Sequence, residues 1–580
     1  MGNTSKKLTL LAAAGVLALS VGACGKDKKS KAESPKVSKE TAKMMTGASP
    51  LEKSYSYKGG KELDVTAFLS TMSDGASDNK FTVKSSKYDK KKGATVLTDF
   101  VSTDPGNSFK IGKLELYGVN EANIKRIKAK EDVTELLPVF DRVRAFDVTI
   151  SPPAKAMAAE GAPAQSITIG AIEFRELKIH PLNDEKMNAL SGDGAQFAAV
   201  MKSIDFGGMN IQNLKMVGFE QGGSGIDMSV ADMRIGNIGQ GVIGPVSMTD
   251  FDYTVKQSAE VKQAVASANP QMGMLLNGPL GNMIMPGNAR AKGESMSWGG
   301  MSITGWLPYL EKGETPPANA KNLVSFGAIE AKNFSSYVNG KLAAETKLST
   351  VDPIEFAWLV PTKINAYNKG QKIHLAAYVP EGQEAMMKVL DDAGVKTATG
   401  DSSVTWTYNQ KKGDADFNYT ANMDGLADIS LKFAGTGAPL QPILAAKEAR
   451  TKALTSGDTA PAELKTGMEK AAFEGFSLEI KDEKLLDVVF GIAGLQMGQD
   501  AAQVRQMAPA FLAMGGAQLQ AVTPKANDYI ASVSKFLTEG GSLKIAMAPK
   551  KPVLLKTLEE TGKDPAAALE KLNLTVVHSK

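Results

Sequence analysis

The sequence predicts an α+β protein built from extended antiparallel β-sheets, made of repeated short strands with interspersed helices and a C-terminal α+β region. Three observations predict this class. Apolar and polar residues alternate in many short runs; glycine is frequent, with 56 of 580 residues, while aromatic residues make up only 6%; and runs of strand pattern precede runs of helix pattern. Strand runs followed by helix runs favour an α+β arrangement over a parallel α/β sheet.

From about Lys61 the chain has a strand pattern in which a nine-residue unit recurs. The unit reads apolar, Gly, any residue, apolar, polar, apolar, polar, polar, apolar. Side chains alternate along a strand, so positions 4 and 6 should share one face, while the glycine at position 2 indicates a bulge or bend. The four copies span residues 111–119, 169–177, 206–214 and 326–334, with equivalent bends expected at Gly112, Gly170, Gly207 and Gly327.

Helices and further strands are predicted after these units. The pattern predicts helices over residues 189–204, 258–268, 383–393, 485–514 and 527–537. Alternating runs at 404–408, 416–419 and 429–433, separated by turns at Gly413 and Gly425, predict an antiparallel meander. The C-terminal region adds strands at 476–480, 541–547 and 572–576.

The first residues have the pattern of a secretory signal. Lys6 and Lys7 precede an apolar run from Leu8 to Val21, which ends in small residues before Cys24. The run is shorter than the roughly 20 residues that a spanning helix needs. A basic start, a short apolar core and small residues at the end are typical of a signal peptide.

Val21-Gly22-Ala23-Cys24 resembles the bacterial lipobox. In lipoproteins of this type the cysteine becomes the diacylated N-terminus, with chains such as palmitate. Cys24 is the only cysteine in the chain, so it cannot form an intramolecular disulfide or a multi-thiolate metal site. In such lipoproteins an Asp after the cysteine favours the inner membrane; the residue here is Gly25, so the resemblance implies the outer membrane, facing the periplasm or the cell exterior.

Length and composition predict four segments. Residues 1–23 are the signal peptide, and 24–60, rich in Lys, Ser and Ala, are expected to be a flexible lipidated tether. Residues 61–312 are a β-rich domain with the repeated units, and 313–580 hold the meander and an α+β domain. The net charge of +4 falls further without the two signal-peptide lysines, which argues against nucleic-acid binding.

No motif predicts catalysis. The three histidines, His180, His374 and His578, lie far apart in the chain, so a His/Cys metal site would need long-range assembly from a very small supply. Gly239 to Gly244 spells G-x-G-x-x-G, but Pro245 and a strand pattern follow it instead of a helix. We therefore expect no catalytic residue, cofactor or metal.

A Met-rich apolar segment is the one stretch with an unusual composition. It runs from Pro270 to Pro286 and contains Met272, Met274, Met283 and Met285. Methionine packs adaptably against apolar surfaces, and its thioether is also a soft ligand for Cu(I). Core packing is the first interpretation, contact with an apolar partner or lipid the second, and copper the third.

The sequence favours a lipid-anchored, non-catalytic scaffold or accessory that binds an envelope or secreted protein partner. The alternative is a periplasmic lipid or hydrophobic-ligand binding and transfer protein, for which a continuous apolar groove would be the evidence. In strand style alone, the units resemble the repeating-β lipid-transfer proteins of the bacterial envelope; those usually carry an N-terminal spanning helix, which this apolar run is too short to form. A third hypothesis is an enzyme with an unrecognised site.

The anchor hypothesis predicts the behaviour of the Cys24→Ser variant. Without a thiol to acylate, the protein should stay unprocessed or leave the outer-membrane fraction, since the acyl chains supply the membrane affinity. Membrane fractionation with mass spectrometry of the N-terminal peptide measures this. Unchanged fractionation, together with an unmodified wild-type peptide, would refute the anchor.

Overall fold

The structure is a computed structural model, and it describes most of the chain in two compact units. It describes residues 45, 51, 53–73, 80–103, 108–151, 166–183, 193–221, 224–257, 261, 263–264, 267, 287–317, 319–379, 382–447, 469–520, 522–561 and 564–580. The N-terminal unit comprises the described residues within 31–317 and 321–334, and the C-terminal unit comprises those within 318–320 and 335–580.

The N-terminal unit consists of antiparallel strands and short helices. Its strands are β1 (Lys80–Thr82), β2 (Ser85–Asp89), β3 (Ala94–Thr103), β4 (Ser108–Tyr117), β5 (Leu137–Ser151), β6 (Ser166–Ile179), β7 (Ile204–Gln221), β8 (Ser224–Ile235), β9 (Ile238–Gly239), β10 (Val242–Ile243), β11 (Val246–Gln257), β12 (Asn288–Trp298), β13 (Met301–Ser302), β14 (Ser325–Phe326) and β15 (Ile329–Val338), whose last four residues belong to the other unit. Its helices are α1 (Val65–Ser73), α2 (Glu121–Lys128), α3 (Asp193–Lys202) and α4 (Leu307–Glu311). Strands β3 to β8 pair in chain order, β8 pairs with β11, and β12 pairs with both β11 and β15.

The α+β class with antiparallel sheets is confirmed, but the strands are longer than the short ones that we expected. β7 has 18 residues and β5 has 15, against about 3–10 for most strands. The sequence pattern looks interrupted because the backbone contains bends that shift the alternation of side chains. The ladder continues on both sides of each bend.

Position 8 of every nine-residue unit has a positive φ angle. The values are 59° at Gly118, 41° at Glu176, 52° at Asn213 and 45° at Asn333. Apolar residues three apart can therefore lie on the same face: Ile211 and Leu214 are both buried in the main core cluster. This corrects our expectation that the bends occur at the glycines of position 2.

The glycines of position 2 accommodate bends in the neighbouring strand. In the register of β6 with β7, Gly170 falls opposite Asn213 and Gly207 opposite Glu176. A Cβ atom on Gly170 would lie 3.1 Å from the Asn213 Cβ, and one on Gly207 would lie 3.1 Å from the Glu176 Cβ. Two copies of the unit thus pair reciprocally, each with its glycine against the other's bend.

The bends also align across the sheet. Asp147 of β5 has a positive φ. It lies opposite Gly112 of β4 on one side and opposite Gly170 of β6 on the other. Gly327 is the exception, because it lies between β14 and β15 and packs on Gly299. The four glycines are therefore not equivalent.

The core of the N-terminal unit lies on one face of this sheet. Its buried residues include Leu97, Leu114, Ile172, Ile211 and Val230. Helix α1 packs against this cluster through Val65, Phe68 and Leu69. The predicted helix over 189–204 is observed as α3, and β7 begins at Ile204.

The C-terminal unit combines antiparallel strands with a helical layer. Its strands are β16 (Lys341–Val351), β17 (Glu355–Ala357), β18 (Val360–His374), β19 (Thr397–Asn409), β20 (Asp414–Asp424), β21 (Ala427–Thr436), β22 (Ala472–Asp482), β23 (Ser542–Met547), β24 (Val553–Leu554) and β25 (Leu574–Ser579). Its helices are α5 (Glu384–Ala393), α6 (Leu485–Met497), α7 (Ala501–Gln520), α8 (Ala526–Glu539), α9 (Leu555–Thr561) and α10 (Pro565–Leu572), with a 3₁₀ turn at Leu375–Tyr378. β18 to β23 pair in chain order, and β25 pairs with β23.

The predicted meander is confirmed as β19, β20 and β21, with its turns at Gly413 and Gly425. The single helix expected over 485–514 is wrong. Gly498 adopts φ 63° and ends α6, because glycine reaches the left-handed conformation of a helix C-terminus without steric cost. Asp500 then accepts from the Ala502 N–H as α7 begins.

Two further sequence predictions can be compared with the structure. The G-x-G-x-x-G run forms the hairpin of β9 and β10 and is followed by strand β11, as its sequence indicated. The helix predicted over 258–268 falls largely outside the described residues. Among the residues that are described, no helix has the length and apolar character needed to span a membrane.

The bend at Asn213 gives a test of this architecture. Asn213→Val should lower the free energy of unfolding by about 1–2 kcal/mol, because a side chain with a branched Cβ is strained at positive φ. Asn213→Gly should be tolerated there. Lys215→Val, an exposed position two residues along β7, is the matched control and should stay within about 0.5 kcal/mol. Urea unfolding of the three variants measures this, and equal stability of both valine variants would contradict the role of the bend.

Candidate functional site

An apolar cavity lies in the C-terminal unit, between helices α6, α7 and α8 and the sheet. Its volume is about 630 Å³, within the roughly 300–1,000 Å³ of small-molecule sites. Helices α6 and α7 form one wall, with the side chains of Phe490, Met497, Val504, Ala508, Phe511 and Leu512.

Helix α8 and the sheet complete the cavity. Tyr529, Ile530, Val533 and Leu537 line it from α8, at the spacing of one helical face. Its floor is formed by Ile545 of β23 and by Leu574 and Val576 of β25. Because Val576 pairs directly with Ile545 in the ladder, these side chains share one face of the sheet.

Small residues help to keep this volume empty. Ala508 projects only a methyl group from α7. Gly516 lets the Ile530 side chain of α8 approach the same helix, because a Cβ there would clash with the Ile530 Cδ1. Pro509 interrupts the hydrogen bonding of the same helix, since proline has no N–H and bends a helix at that point. Met497 and Phe511 are both about half exposed, so the cavity reaches solvent beside them.

The cavity has almost no polar group to offer a ligand. Tyr529 is the one lining residue with a hydroxyl, and that hydroxyl donates to the Leu574 carbonyl at 2.6 Å. Burial raises the pKa of Tyr529 above its ordinary value, so the hydroxyl stays protonated at physiological pH. The buried part of a ligand must therefore be apolar, because an unpaired polar group would lose its hydrogen bonds to water.

An ion pair stands next to the lining residues. Arg505 donates to the Leu537 carbonyl at 2.8 Å and to Asp487 at 2.9 Å, and its guanidinium lies 5.7 Å from the centre of the Phe490 ring. Phe490 and Leu537 both line the cavity. This charge is compensated by Asp487 and fixes α7 against α6 and α8.

The apolar floor continues along the sheet beyond the cavity. From Leu574 the ladder leads through one directly paired residue on each strand, and all are apolar: Met547, Phe476, Phe433, Phe417, Trp406 and Ile364. The row through Val576 and Ile545 continues through Leu478, Leu431, Tyr419, Val404 and Ala366. Most of these side chains are half-buried, so an apolar face seven strands wide adjoins the cavity.

The site residues singled out from sequence lie outside the described residues, and the histidines are not among the residues that line this cavity. Cys24 and the four methionines Met272, Met274, Met283 and Met285 lie outside the described residues. The histidines occupy three separate places: His374 contacts Glu345 at 3.2 Å, and His578 contacts the Gly540 carbonyl at 2.8 Å. Within the described ranges no three His, Cys, Asp or Glu side chains converge where they could hold a metal ion.

His180 borders a second cavity, in the N-terminal unit. This cavity has a volume of about 640 Å³ and is more polar, since Lys202, Gln240 and Glu311 line it too. Lys202 pairs with Glu311, and the Gln240 side chain donates to the Lys202 carbonyl. Two of its charged side chains thus compensate each other within the described chain.

A buried polar row crosses the N-terminal sheet. The row consists of Glu115, Arg144, Glu173, Asn210 and Arg234, which are directly paired from β4 to β8. The Glu173 carboxylate is fully buried; it accepts from Arg144 at 2.6 Å and from Asn210 at 3.2 Å. A buried carboxylate needs such partners, so these residues form a structural network.

The chain segment 53–57 packs on this network. The Arg142 guanidinium lies 3.5 Å from the centre of the Tyr55 ring, and the Tyr55 hydroxyl donates to Asp141 at 2.6 Å. Arg144 donates to the Lys53 carbonyl at 2.9 Å. Burial and the hydrogen bond to Asp141 raise the pKa of Tyr55 to about 12. The network therefore holds the end of the predicted tether on the sheet.

Comparisons with known proteins give one match. A family model described as "Uncharacterized protein" matches residues 420–579. A comparison with curated proteins finds no match. All the residues that line the C-terminal cavity lie within the matched segment, so the cavity belongs to a part of the chain that recurs in other proteins.

Sequence reasoning missed the C-terminal cavity, although one signal could have indicated it. Helix α7 contains a single charged residue, Arg505, in 20 residues, which is unusual for a helix on a protein surface. The sequence pattern of this region predicts only a helix. The residues of the floor come from strands far apart in sequence, and their convergence depends on the register.

Glu115 gives a prediction about acid stability. Burial alone raises its pKa, but hydrogen bonds from Lys92 and Tyr117 and the charge of Lys113 outweigh this and hold the pKa below the ordinary value. A depressed carboxyl pKa adds stability above the unfolded-state value of about 4.3 and loses it as the pH falls through the folded-state value.

Glu115→Gln should therefore lower the free energy of unfolding by about 2 kcal/mol at pH 7. The loss should shrink as the pH falls below about 4, because the native carboxylate becomes protonated there. Glu62→Gln, at an exposed carboxylate of the same unit, is the control. Urea unfolding across this pH range measures the effect; a loss that is constant with pH would contradict it.

Proposed function

We propose that this protein is a lipid-anchored cell-envelope protein that binds an acyl chain of a lipid in its C-terminal cavity, without turnover chemistry of its own. The observation that carries the proposal is the cavity of about 630 Å³ whose lining is apolar except for one hydroxyl that is already hydrogen-bonded. A continuous apolar groove would favour a carrier over a scaffold. The apolar face of the sheet that adjoins this cavity supports the carrier.

The chemistry of the lining selects the ligand class. A hydrocarbon chain gains about 0.8 kcal/mol for each CH₂ group that leaves water. A charged headgroup would gain nothing inside the cavity, because no lining side chain carries a charge and burial of an unpaired charge is costly. The acyl chain would enter, and the headgroup would stay outside near Met497 and Phe511.

The proposed location agrees with this ligand. The lipobox-type sequence at Cys24 would place the protein on the outer membrane, facing the periplasm or the cell exterior, where acyl chains are abundant. The near-neutral charge of the chain gives no support for a nucleic-acid partner. The partners in this proposal are the membrane, through the N-terminal lipid, and a lipid ligand.

A scaffold that binds an envelope or secreted protein is the second candidate function. Leu554, Leu555 and Val577 support it, because these exposed side chains do not line the cavity and exposed apolar groups favour protein contacts. Affinity purification from membranes, with lipid and protein analysis of the eluate, separates the two: a carrier retains lipid, and a scaffold retains a protein partner.

Filling the cavity tests the proposal. Ala508→Phe should reduce the affinity for dansyl-labelled undecanoic acid, the acyl probe, by about tenfold or more, because the ring would occupy ligand volume. It should leave the melting temperature unchanged or higher, since it fills empty space instead of overpacking a core. Fluorescence titration and thermal unfolding of the full protein measure both.

Ala510→Phe is the matched control, because Ala510 is an exposed position of the same helix and does not line the cavity. It should bind the probe like the wild type. Absence of probe binding by the wild type, or equal binding by a folded Ala508→Phe variant, would refute the proposed ligand.

A further inference from the structure

Helix α7 carries an exposed apolar stripe beside the cavity. Met507, Phe511 and Met514 follow each other at the i, i+4, i+7 spacing of one helical face. Met514 is 75% exposed and Phe511 48% exposed. Soluble proteins rarely leave neighbouring large apolar side chains in water without a partner.

We propose that this stripe is a membrane-contact surface, which inserts into the interface of a lipid bilayer at the mouth of the cavity. The proposal rests on the proposed function, since the stripe would pass an acyl chain between the bilayer and that same cavity. Phe511 belongs to both, because it lines the cavity and is also exposed.

The charge distribution favours a bilayer as the occupant. Over its 20 residues α7 has one charged side chain, Arg505, and that group is engaged with Asp487 and the Leu537 carbonyl. A helix face that enters the hydrocarbon boundary must lack charges, because each would have to be desolvated. The neighbouring helix α6 adds the exposed side chains of Val489, Leu495 and Met497.

The chain length keeps a bilayer within reach. Only 28 residues lie between Cys24 and Lys53, the first residue of the segment held by the polar row. At about 3.6 Å per extended residue, Lys53 in the N-terminal unit stays within about 100 Å of the anchored lipid. An anchored surface needs little intrinsic affinity, because the tether supplies a high local concentration.

Site-directed labelling tests the contact directly. Cys24 is the only native cysteine and is blocked in the lipidated protein, so Met514→Cys provides a single thiol for the fluorophore NBD. The full lipidated protein is reconstituted into phosphatidylglycerol/phosphatidylethanolamine vesicles that contain doxyl-labelled phospholipid. NBD at position 514 should be quenched about twofold or more relative to vesicles without doxyl lipid, as interfacial insertion brings it within contact range.

Val577→Cys is the matched control for the tether. Val577 is 53% exposed, and it follows Val576 of the cavity floor, so its side chain points to the opposite face of the sheet. NBD there should not be quenched, although the same lipid anchors it. Equal quenching at both positions, or none at position 514, would overturn the inference.

A double substitution separates the membrane contact from ligand binding. Met507→Glu with Met514→Glu changes two exposed side chains that do not line the cavity, so binding of the dansyl probe from solution should match the wild type. Transfer of the probe from vesicles to the protein should slow by about tenfold or more, because two carboxylates oppose insertion. Unchanged transfer would refute the membrane contact.

The remaining outcomes are also decisive. If the wild type binds no probe but NBD at position 514 is quenched, the membrane contact is supported and the proposed ligand is refuted. If quenching is absent and the double variant instead abolishes self-association in size-exclusion chromatography, the stripe covers a second copy of the chain and the inference is wrong.

Discussion

The pairing of a positive-φ residue with a glycine on the adjacent strand is the constraint on which the N-terminal sheet depends. A side chain at a bend such as Asn213 lies over the facing position, where a Cβ on Gly170 would be 3.1 Å from the Asn213 Cβ, closer than an ordinary contact. The bend in turn places Ile211 and Leu214 in one core. Long strands can then keep a continuous apolar face, although the alternation of their side chains shifts at each bend.

This constraint explains how far the sequence could be interpreted. The strand character, the meander and the helices α3, α5 and α8 follow from local patterns, and the structure agrees with them. The position of the bends does not. Glu176 has a positive φ although glutamate has no particular tendency towards it, and the space for this bend depends on Gly207 of the neighbouring strand. The glycines can be recognised in the sequence, but the bend residues that face them lie 31 to 43 positions away along the chain.

The candidate site shows the same limit more strongly. Gly516 matters only because Ile530 of α8 packs against it, and Leu574 reaches the floor only through the register of β25 with β23. Composition could identify α7 as poor in charge, but the volume between helices and sheet is a property of packing. The motifs singled out from sequence lie at the N-terminus and in the Met-rich segment, far along the chain from this cavity.

The contact of Tyr55 with Arg142 and Asp141 has a mechanical consequence for an anchored protein. A pull on an N-terminal lipid would reach the fold at this point, where it meets a cation–π contact, a hydrogen bond and the backbone pairing of Tyr57 with Lys92. Force would therefore enter through strands that are themselves tied by the buried carboxylate of Glu173. A pulling force would therefore act on strands that are held together by side-chain contacts. It would not separate the sheet strand by strand from an unpaired end.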